Sequence, residues 1–402
     1  MPLSTVPGGL SLPETLRRFS FNGTPTAEVE EGGLRYFVNE FWTAGQRQGH
    51  SLHEVSYRAC FKAQLPEFLI ERLTAPGDTV YDPFSGRGTT ALQAALMGRR
   101  AIANDVNPLS AMLARPRLDP PPLAAIGDRL AVLELSAAEA PEDLLVFYHP
   151  ATLGRIAALR RYLRERDAAG RLDAVDDWVR MVALNRLTGH SNGFFSVYTL
   201  PPNQAVSVDR QRRINAARNQ TPPVRDIAAL ILRKSKSLLA DGLPAPHPAP
   251  LFLTGPAEET PAIADRSVDL LVTSPPFLDV VDYEGDNWLR CWFAGIDPRS
   301  VRIDRHRTVE AWEGFIRRAF HEFARIMHPG GTVAFEVGEV RGGRVLLERH
   351  VVAAIEGLPF DVMGVMVNQQ AFTKTANCWG VRNNNVGTNT NRIVLARRCQ
   401  PA

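Results

Sequence analysis

Hydrophobic and polar positions alternate along this chain at two different periods. Short apolar runs at 79–81, 101–103, 251–254 and 268–273 are closed by glycine, proline or acidic residues. Runs of that length and composition predict strands buried on both faces. Between and after them the apolar positions recur every three or four residues, at 66–73, 89–97, 309–327 and 345–357. That spacing predicts helices with one covered stripe. Further strands are expected at 332–337, 361–367 and 392–396, with His328-Pro-Gly-Gly331 ending the long helix.

The first strand, its helix and the second strand form a unit of about 27 residues, the nucleotide-binding half of a doubly wound α/β sheet. From 109 to 250 the pattern is helical, with periodic segments at 150–166, 173–187 and 224–239. This span reads as a helical insert, and the proline-spaced stretch 244–250 as the linker back to the sheet. The expected organisation is an N-terminal arm (1–50), a catalytic domain in two pieces (51–108 and 251–402), and the insert (109–250) as target-recognition region. Residues 1 to about 30, rich in Pro, Gly, Ser and Thr, are expected to be poorly ordered.

Composition narrows the class. The 402 residues are 45% hydrophobic and 22% charged, ordinary for a globular protein. No run of about 18 apolar residues predicts a membrane span. Neither a secretory leader nor a C-x-x-C pair is visible, so reduced thiols in a cytoplasmic setting are expected, and no metal site. The net charge is only +3, but residues 151–250 hold 16 Lys and Arg against 8 Asp and Glu. That segment is therefore +8 on a remainder of −5. A basic middle fits a polyanion partner. Nearly all the positive charge is arginine, which suits phosphate and guanine; a bias in codon usage accounts for it equally well.

Two stretches carry chemistry. The first is Val80-Tyr-Asp-Pro-Phe-Ser-Gly-Arg-Gly-Thr-Thr90. Gly86 and Gly88 allow a tight turn and a close ligand approach, and the following helix offers free N–H groups. Alanine at 91 weakens a dinucleotide reading. Asp82, at a strand end, suits a ligand ammonium better than a diphosphate. Asp105, at the end of the second strand, stands where a carboxylate bonds ribose hydroxyls.

The second stretch is Leu270-Leu-Val-Thr-Ser-Pro-Pro-Phe277. An exocyclic base amine is a poor nucleophile because its lone pair is delocalised. Catalysis on it needs acceptors that draw the N–H hydrogens out of plane while the amine is held in line with the reacting bond. Pro275 and Pro276 fix the backbone and carry no donor. Ser274 Oγ and the Pro275 carbonyl are the expected acceptors, and Phe277 would stack on an extruded base.

Together the two stretches resemble the signature motifs of the S-adenosylmethionine-dependent amino-methyltransferases of DNA. The resemblance implies a Rossmann-like methyltransferase fold, S-adenosylmethionine as cofactor with S-adenosylhomocysteine as product, and no metal. It implies cofactor contacts from Phe61 and Lys62 in the segment before the glycine turn, and from Asp82, Phe84, Gly86, Gly88, Thr89, Thr90 and Asp105. In that family Ser before Pro-Pro-Phe goes with cytosine N4, and Asp or Asn with adenine N6, so Ser274 implies N4-methylcytosine. The sequence departs from the family at Thr254-Gly-Pro-Ala-Glu258, where Pro256 stands in place of an acid for the adenine amine; Glu258 is the candidate left.

The implied partner is double-stranded DNA, with a cognate restriction endonuclease where the enzyme serves restriction–modification. A monomer or homodimer in a bacterial cytoplasm, at the nucleoid, is the matching expectation. The stretch 209–236 is the best nucleic-acid candidate, with eight basic residues, Arg210, Arg212, Arg213, Arg218, Arg225, Arg233, Lys234 and Lys236, against two acids; Arg210, Arg212, Arg213, Arg218, Lys234 and Lys236 are the candidate phosphate contacts. Asn215, Asn219 and Gln220 are interleaved to reach base edges, and the Asn-rich loop 369–391 is a second candidate. Adenine N6 in DNA, a guanine amine in RNA, a binding protein without turnover and a nicotinamide dehydrogenase are the competing readings.

Overall fold

A computed structural model describes residues 11–43, 49–58, 60–200, 205–278, 283–301, 306–340, 344–369 and 390–400. The chain opens with α1 (Leu12–Arg18) and the short hairpin β1 (Ser20–Phe21) and β2 (Thr24–Pro25), followed by β3 (Ala27–Glu31) and β4 (Leu34–Asn39). Next come α2 (Gln64–Leu73), β5 (Thr79–Asp82), α3 (Thr89–Leu96) and β6 (Arg100–Asp105). The helical stretch holds α4 (Leu109–Leu118), α5 (Leu123–Val132), α6 (Pro150–Ala168), α7 (Ala174–Arg186), α8 (Val208–Arg218) and α9 (Ile227–Leu238). The sheet resumes with β7 (Leu251–Thr254) and β8 (Val268–Thr273), then α10 (Tyr283–Ala294) and α11 (Val309–Ile326). Last are β9 (Met327–Val337), β10 (Glu339–Val340), β11 (Val345–Leu346), α12 (Leu347–Ile355), β12 (Phe360–Gln369) and β13 (Thr390–Arg398).

Nine strands form one sheet in the order β3-β4-β12-β13-β9-β8-β5-β6-β7. The run from β9 to β7 is parallel. β13 lies antiparallel between β12 and β9. This is the doubly wound, mostly parallel architecture expected. From β5 the chain moves outward to β6 and β7, then returns to the other side of β5 for β8, so the order reverses between β5 and β8. A crevice opens at the carboxyl ends of strands flanking such a reversal.

The central strands are covered on both faces: every residue of β5, the polar Thr79 and Asp82 included, is buried. α11 covers one face with Trp312, Phe315, Ile316, Ala319, Phe320, Phe323 and Ile326, spaced three and four apart. The other face is covered by α2, α3 and α4, and its core runs on into α6, α7 and α9 through Leu159, Trp178 and Ile231. The helices between β6 and β7 thus share an apolar core with the sheet.

The poorly ordered arm is corrected over the described residues. Leu12 and Leu16 of α1 are buried in the core. β4 pairs in parallel with β12, and β3 pairs with β4, so this segment forms one edge of the sheet. The outermost strand, Ala-Glu-Val-Glu-Glu, is exposed throughout and carries the charges that blunt an edge. β9 also begins earlier than expected, at Met327, with Pro329-Gly330-Gly331 inside the strand beside a register shift against β8. The added Cβ of any other residue at 331 would lie 2.9 Å from the Asp269 carbonyl oxygen.

Candidate active site

At the reversal point the carboxyl ends of four parallel strands frame a cleft of about 790 Å³, part of it open to solvent. Its wall takes Pro83, Phe84, Ser85, Gly86 and Thr89 from the turn after β5, and Asp105, Val106 and Asn107 from the end of β6. Gly255 and Ala257 come from the loop after β7, and Ser274 and Pro276 from the loop after β8. Tyr57, Cys60 and Phe61 close it from the segment before α2. The two motifs therefore meet in one wall.

The glycine turn is built by backbone shape. Gly86 and Gly88 sit at φ +53° and +78°, in the left-handed region. They do different jobs. A Cβ on Gly88 would stand 2.4 Å from the Ala114 Cβ, so this glycine admits α4. A Cβ on Gly86 would meet Cys60 Sγ at 3.4 Å, so this one faces the cavity. Asp105 caps the turn: its carboxylate accepts from Gly86 N at 2.8 Å and from Asn107 N at 2.9 Å. Burial nonetheless holds Asp105 above the usual carboxylate range. Each of its oxygens keeps capacity for a further donor. Ser85 Oγ is buried in the same wall without a partner.

Two arginines pin the closing segment onto the turn. Arg87 donates to the carbonyl oxygens of Val55 at 2.7 Å and Phe61 at 3.4 Å, and to Thr89 Oγ1 at 3.1 Å. Arg117, fully buried, donates to Leu52 O at 3.1 Å and to the Arg87 carbonyl. Burial pushes the Arg117 guanidinium down to about 9.

Asp82, expected as an acceptor for a ligand ammonium, is not among the residues that line the cavity. It is buried at the end of β5 and accepts from Thr273 Oγ1 at 2.6 Å and from Phe84 N at 3.2 Å. Burial pushes it up to about 7, against the pull of these bonds. Thr90 is equally internal and donates to Val272 O at 3.1 Å. Asp82 and Thr90 thus tie the glycine turn to the strand that leads into Ser274. Lys62 lies outside the wall, its ammonium pushed down by partial burial and by Arg87. Glu258 is likewise outside the wall, paired with Arg318 at 3.2 Å.

Ser274 and Pro276 face the cavity, and Pro275 is buried behind them. The Pro276 carbonyl accepts from Trp312 Nε1 at 2.9 Å, which fixes the loop to α11. Phe277 lies outside the wall and packs against Gly338, where a Cβ would be 3.2 Å from its ring. Sequence reasoning missed one residue of this corner. Glu336, buried on β9, accepts from Asn391 Nδ2 at the start of β13, and the neighbouring Ser274 hydroxyl favours its charged form. Burial raises its carboxyl. A lone acid inside Thr332-Val-Ala-Phe-Glu-Val337 was the available signal.

Arg210, Arg212, Arg213 and Arg218 are exposed along α8. Arg212 pairs with Asp209 at 2.7 Å, and Arg218 lies 3.8 Å over the Tyr198 ring. Lys236 is exposed, whereas Lys234 is mostly covered and paired with Glu54 at 3.2 Å. Asn215 and Gln220 are not free for base edges. Asn215 donates to Val146 O at 2.7 Å and accepts from Gln211 and Gln220, while Gln220 also donates to Tyr198 O at 2.9 Å. Asn219 is the left-handed C-cap of α8. Of the Asn-rich loop, residues 370–389 lie outside the described residues, as do Lys374, Arg382 and Gly387. Among the described residues no group of three His, Cys, Asp or Glu is arranged to hold a metal ion, and no helix is long and apolar enough to cross a membrane.

With this geometry in place, the chain was compared with known proteins. Residues 27–113, from β3 through the glycine turn into α4, match the DNA methylase family. The type II methyltransferase M.BsoBI of Geobacillus stearothermophilus is 22% identical over 290 residues, covering 63% of this chain and 55% of that protein. The type II methyltransferase M.MjaII of Methanocaldococcus jannaschii is 36% identical over 69 residues, covering 17% of this chain and 13% of that protein. A solved rRNA methyltransferase, AviRa of Streptomyces viridochromogenes, shares 13% identity at a TM-score of 0.31, over 87% of this chain and 89% of that one. The chain thus spans about half the length of M.BsoBI. The expected resemblance to the DNA amino-methyltransferases is borne out by the family match and the curated relatives. They do not separate the cytosine-N4 from the adenine-N6 type.

Proposed function

We propose that this protein is an S-adenosylmethionine-dependent DNA methyltransferase that methylates the exocyclic N4 of a flipped cytosine, in restriction–modification or as an orphan modification enzyme. The observation that carries the reading is the meeting of Ser274 with Asp105 and Gly86 in one cavity wall, with Glu336 close behind Ser274.

The wall suits the cofactor. Asp105 has acceptor capacity for ribose hydroxyls, Ser85 Oγ lacks a partner, and Tyr57 and Phe61 offer apolar surface. The cofactor when bound supplies a methyl group on a positively charged sulfur, which leaves as a neutral thioether. In our reading Ser274 turns its proton toward Glu336, whose charged form it favours, and its lone pairs toward the cavity. A hydroxyl held in this way accepts an N–H from the incoming amine. The Pro275 carbonyl is our second acceptor for that amine, and Phe277 our stacking surface for the base. The proton leaves to water. Double-stranded DNA as substrate, and a cytoplasmic place of action, follow from this reading.

Purified protein, labelled S-adenosylmethionine and genomic DNA free of prior methylation, digested to nucleosides and read by mass spectrometry, test it. Label on N4-methylcytosine that is lost in Ser274→Ala is the expected result. Label on N6-methyladenine would overturn the N4 assignment. Label found in RNA alone, or in neither nucleic acid, would overturn the DNA methyltransferase reading.

A further inference from the structure

Outside the cavity, three arginines gather round one turn. The loop after α7 is folded tightly. Gly189 and Tyr198 form a bridge, and a Cβ on Gly189 would stand 2.4 Å from the Phe194 ring. At its tip Ser191-Asn192-Gly193 is open, with Ser191 and Asn192 exposed. Arg225 Nη2 donates to Asn192 Oδ1 at 2.8 Å, and Arg233 Nη2 to the Asn192 carbonyl at 3.2 Å. The Arg186 guanidinium lies 4.0 Å over the Phe194 ring. The position where residue 193 would carry a Cβ has Ser191 Oγ at 3.4 Å, Arg186 Nη1 at 3.8 Å and Arg233 Nη2 at 3.9 Å.

These charges are poorly balanced. Among the described residues none of the three arginines is paired with a carboxylate. Glu54, the acid acting on Arg186, is bonded to Lys234 at 3.2 Å. Burial and the neighbouring Arg233 push Arg186 down to about 10. Arg225 Nε is buried without a partner. Like charges collected round an open, uncharged turn describe a site that awaits an anion.

The cluster also sits next to the candidate active site. Asn185, the residue before Arg186, donates to Ser56 O at 3.3 Å. Ser56 precedes Tyr57, which lines the cavity. Two adjacent residues, Ser56 and Tyr57, therefore join the helix that carries Arg186 to the cavity wall.

We propose that Arg186, Arg225 and Arg233, with the Ser191–Gly193 turn between them, bind a phosphate of the DNA backbone beside the cavity that takes the flipped base. This rests on the DNA methyltransferase reading and adds a contact that the basic helix α8 does not include. Guanidinium forks match a phosphodiester in shape, and a glycine at 193 leaves space for its oxygens.

The test is fluorescence anisotropy of labelled random-sequence duplex DNA against the full chain, repeated across a range of salt. Arg233→Gln and Arg225→Gln are each expected to flatten the dependence of log K on log salt, by at most about 0.9, the loss of the one neutralised phosphate. Gly193→Glu, whose Cβ meets only ordinary contacts, sets a carboxylate among the arginines. It is expected to weaken DNA binding further while raising the melting temperature. Binding of labelled S-adenosylmethionine should stay unchanged in all three. Wild-type affinity and salt slope in every variant, with methylation intact, would overturn this site alone. A change seen on duplex RNA but not on DNA would overturn it too. A wild-type protein that neither binds nor methylates DNA overturns both readings.

Discussion

Ser274 and Glu336 are neighbours at the carboxyl ends of two adjacent parallel strands, β8 and β9, where the hydroxyl favours the charged form of the carboxyl. One residue faces the cavity and the other is buried behind it. The pair decides what Ser274 can do, because a hydroxyl whose proton is committed presents only acceptors. Glu336→Gln keeps the size and removes the charge. It is expected to lower kcat for methyl transfer by about 100-fold, the low end of what a positioned proton-accepting group contributes. Cofactor affinity, measured by equilibrium dialysis, should change less than about twofold. Because burial raises Glu336, the acid limb of the kcat profile should lie above the usual Glu value of 4.5 and disappear in the variant. A variant with wild-type kcat would remove Glu336 from the mechanism.

The two glycines of the turn should fail in different ways. At Gly88 an added methyl collides with Ala114 at 2.4 Å, and the residue is left-handed. Gly88→Ala is therefore expected to cost about 2 kcal/mol or more in stability, by strain and overpacking together. Gly86→Ala pays the left-handed penalty, about 1 kcal/mol, but meets only Cys60 Sγ at 3.4 Å. Its main effect should be weaker cofactor binding, about tenfold. Thermal melts and dialysis on both variants check this; equal losses of stability would show that Gly86 is structural as well.

Asp82 and Thr273 predict a dependence on pH. Burial raises Asp82 from its ordinary 3.8 to about 7. A carboxyl raised in the fold binds its proton more tightly there than in the unfolded chain. Its contribution is fully present below about pH 4 and is lost as pH rises through 7. Asp82→Asn keeps an acceptor for Thr273 and Phe84 N without the charge. Its melting temperature relative to wild type should therefore be higher at pH 8 than at pH 5. The difference is at most a few kcal/mol, since each unit is worth about 1.4 kcal/mol. A constant difference across that range would mean that Asp82 titrates normally.

The parts of this protein legible in its sequence are those whose signal is local. β5, β8 and α11 declare themselves by apolar spacing, and the two motifs each fix a turn by glycine or proline. What escaped depends on contacts between distant segments. Glu336 means nothing until β9 is laid beside β8. Asp82 reads as a ligand contact, and its bond to Thr273 shows only when β8 is laid beside β5. β3 is acidic and exposed because it is an edge, so it reads as a polar arm. α8 has one buried residue, Gln211, and is held by the amides of Gln211, Asn215 and Gln220 rather than by an apolar stripe. The same amides look in sequence like base-reading groups.

The edge built from residues 11–43 should be indispensable to folding. Phe37, Phe41 and Trp42 are buried, and Phe41 stacks with Phe19 and Phe68 at 5.1 and 5.6 Å. Asn368, fully buried on β12, accepts from Phe41 N at 2.7 Å and Trp42 N at 3.2 Å. Deleting residues 1–42 would leave β12 with an unpaired edge and uncover these rings, which favours aggregation. The truncated chain is expected to be insoluble or to lack a cooperative melt, where loss of a disordered arm would leave the transition unchanged. Asn368→Ala tests the same junction without deletion. It strands two backbone N–H groups in the core, and an unsatisfied buried donor costs about 1 to 3 kcal/mol. Denaturant unfolding should show that loss with the cavity residues untouched. A neutral Asn368→Ala would mean that the edge is held by its apolar contacts alone.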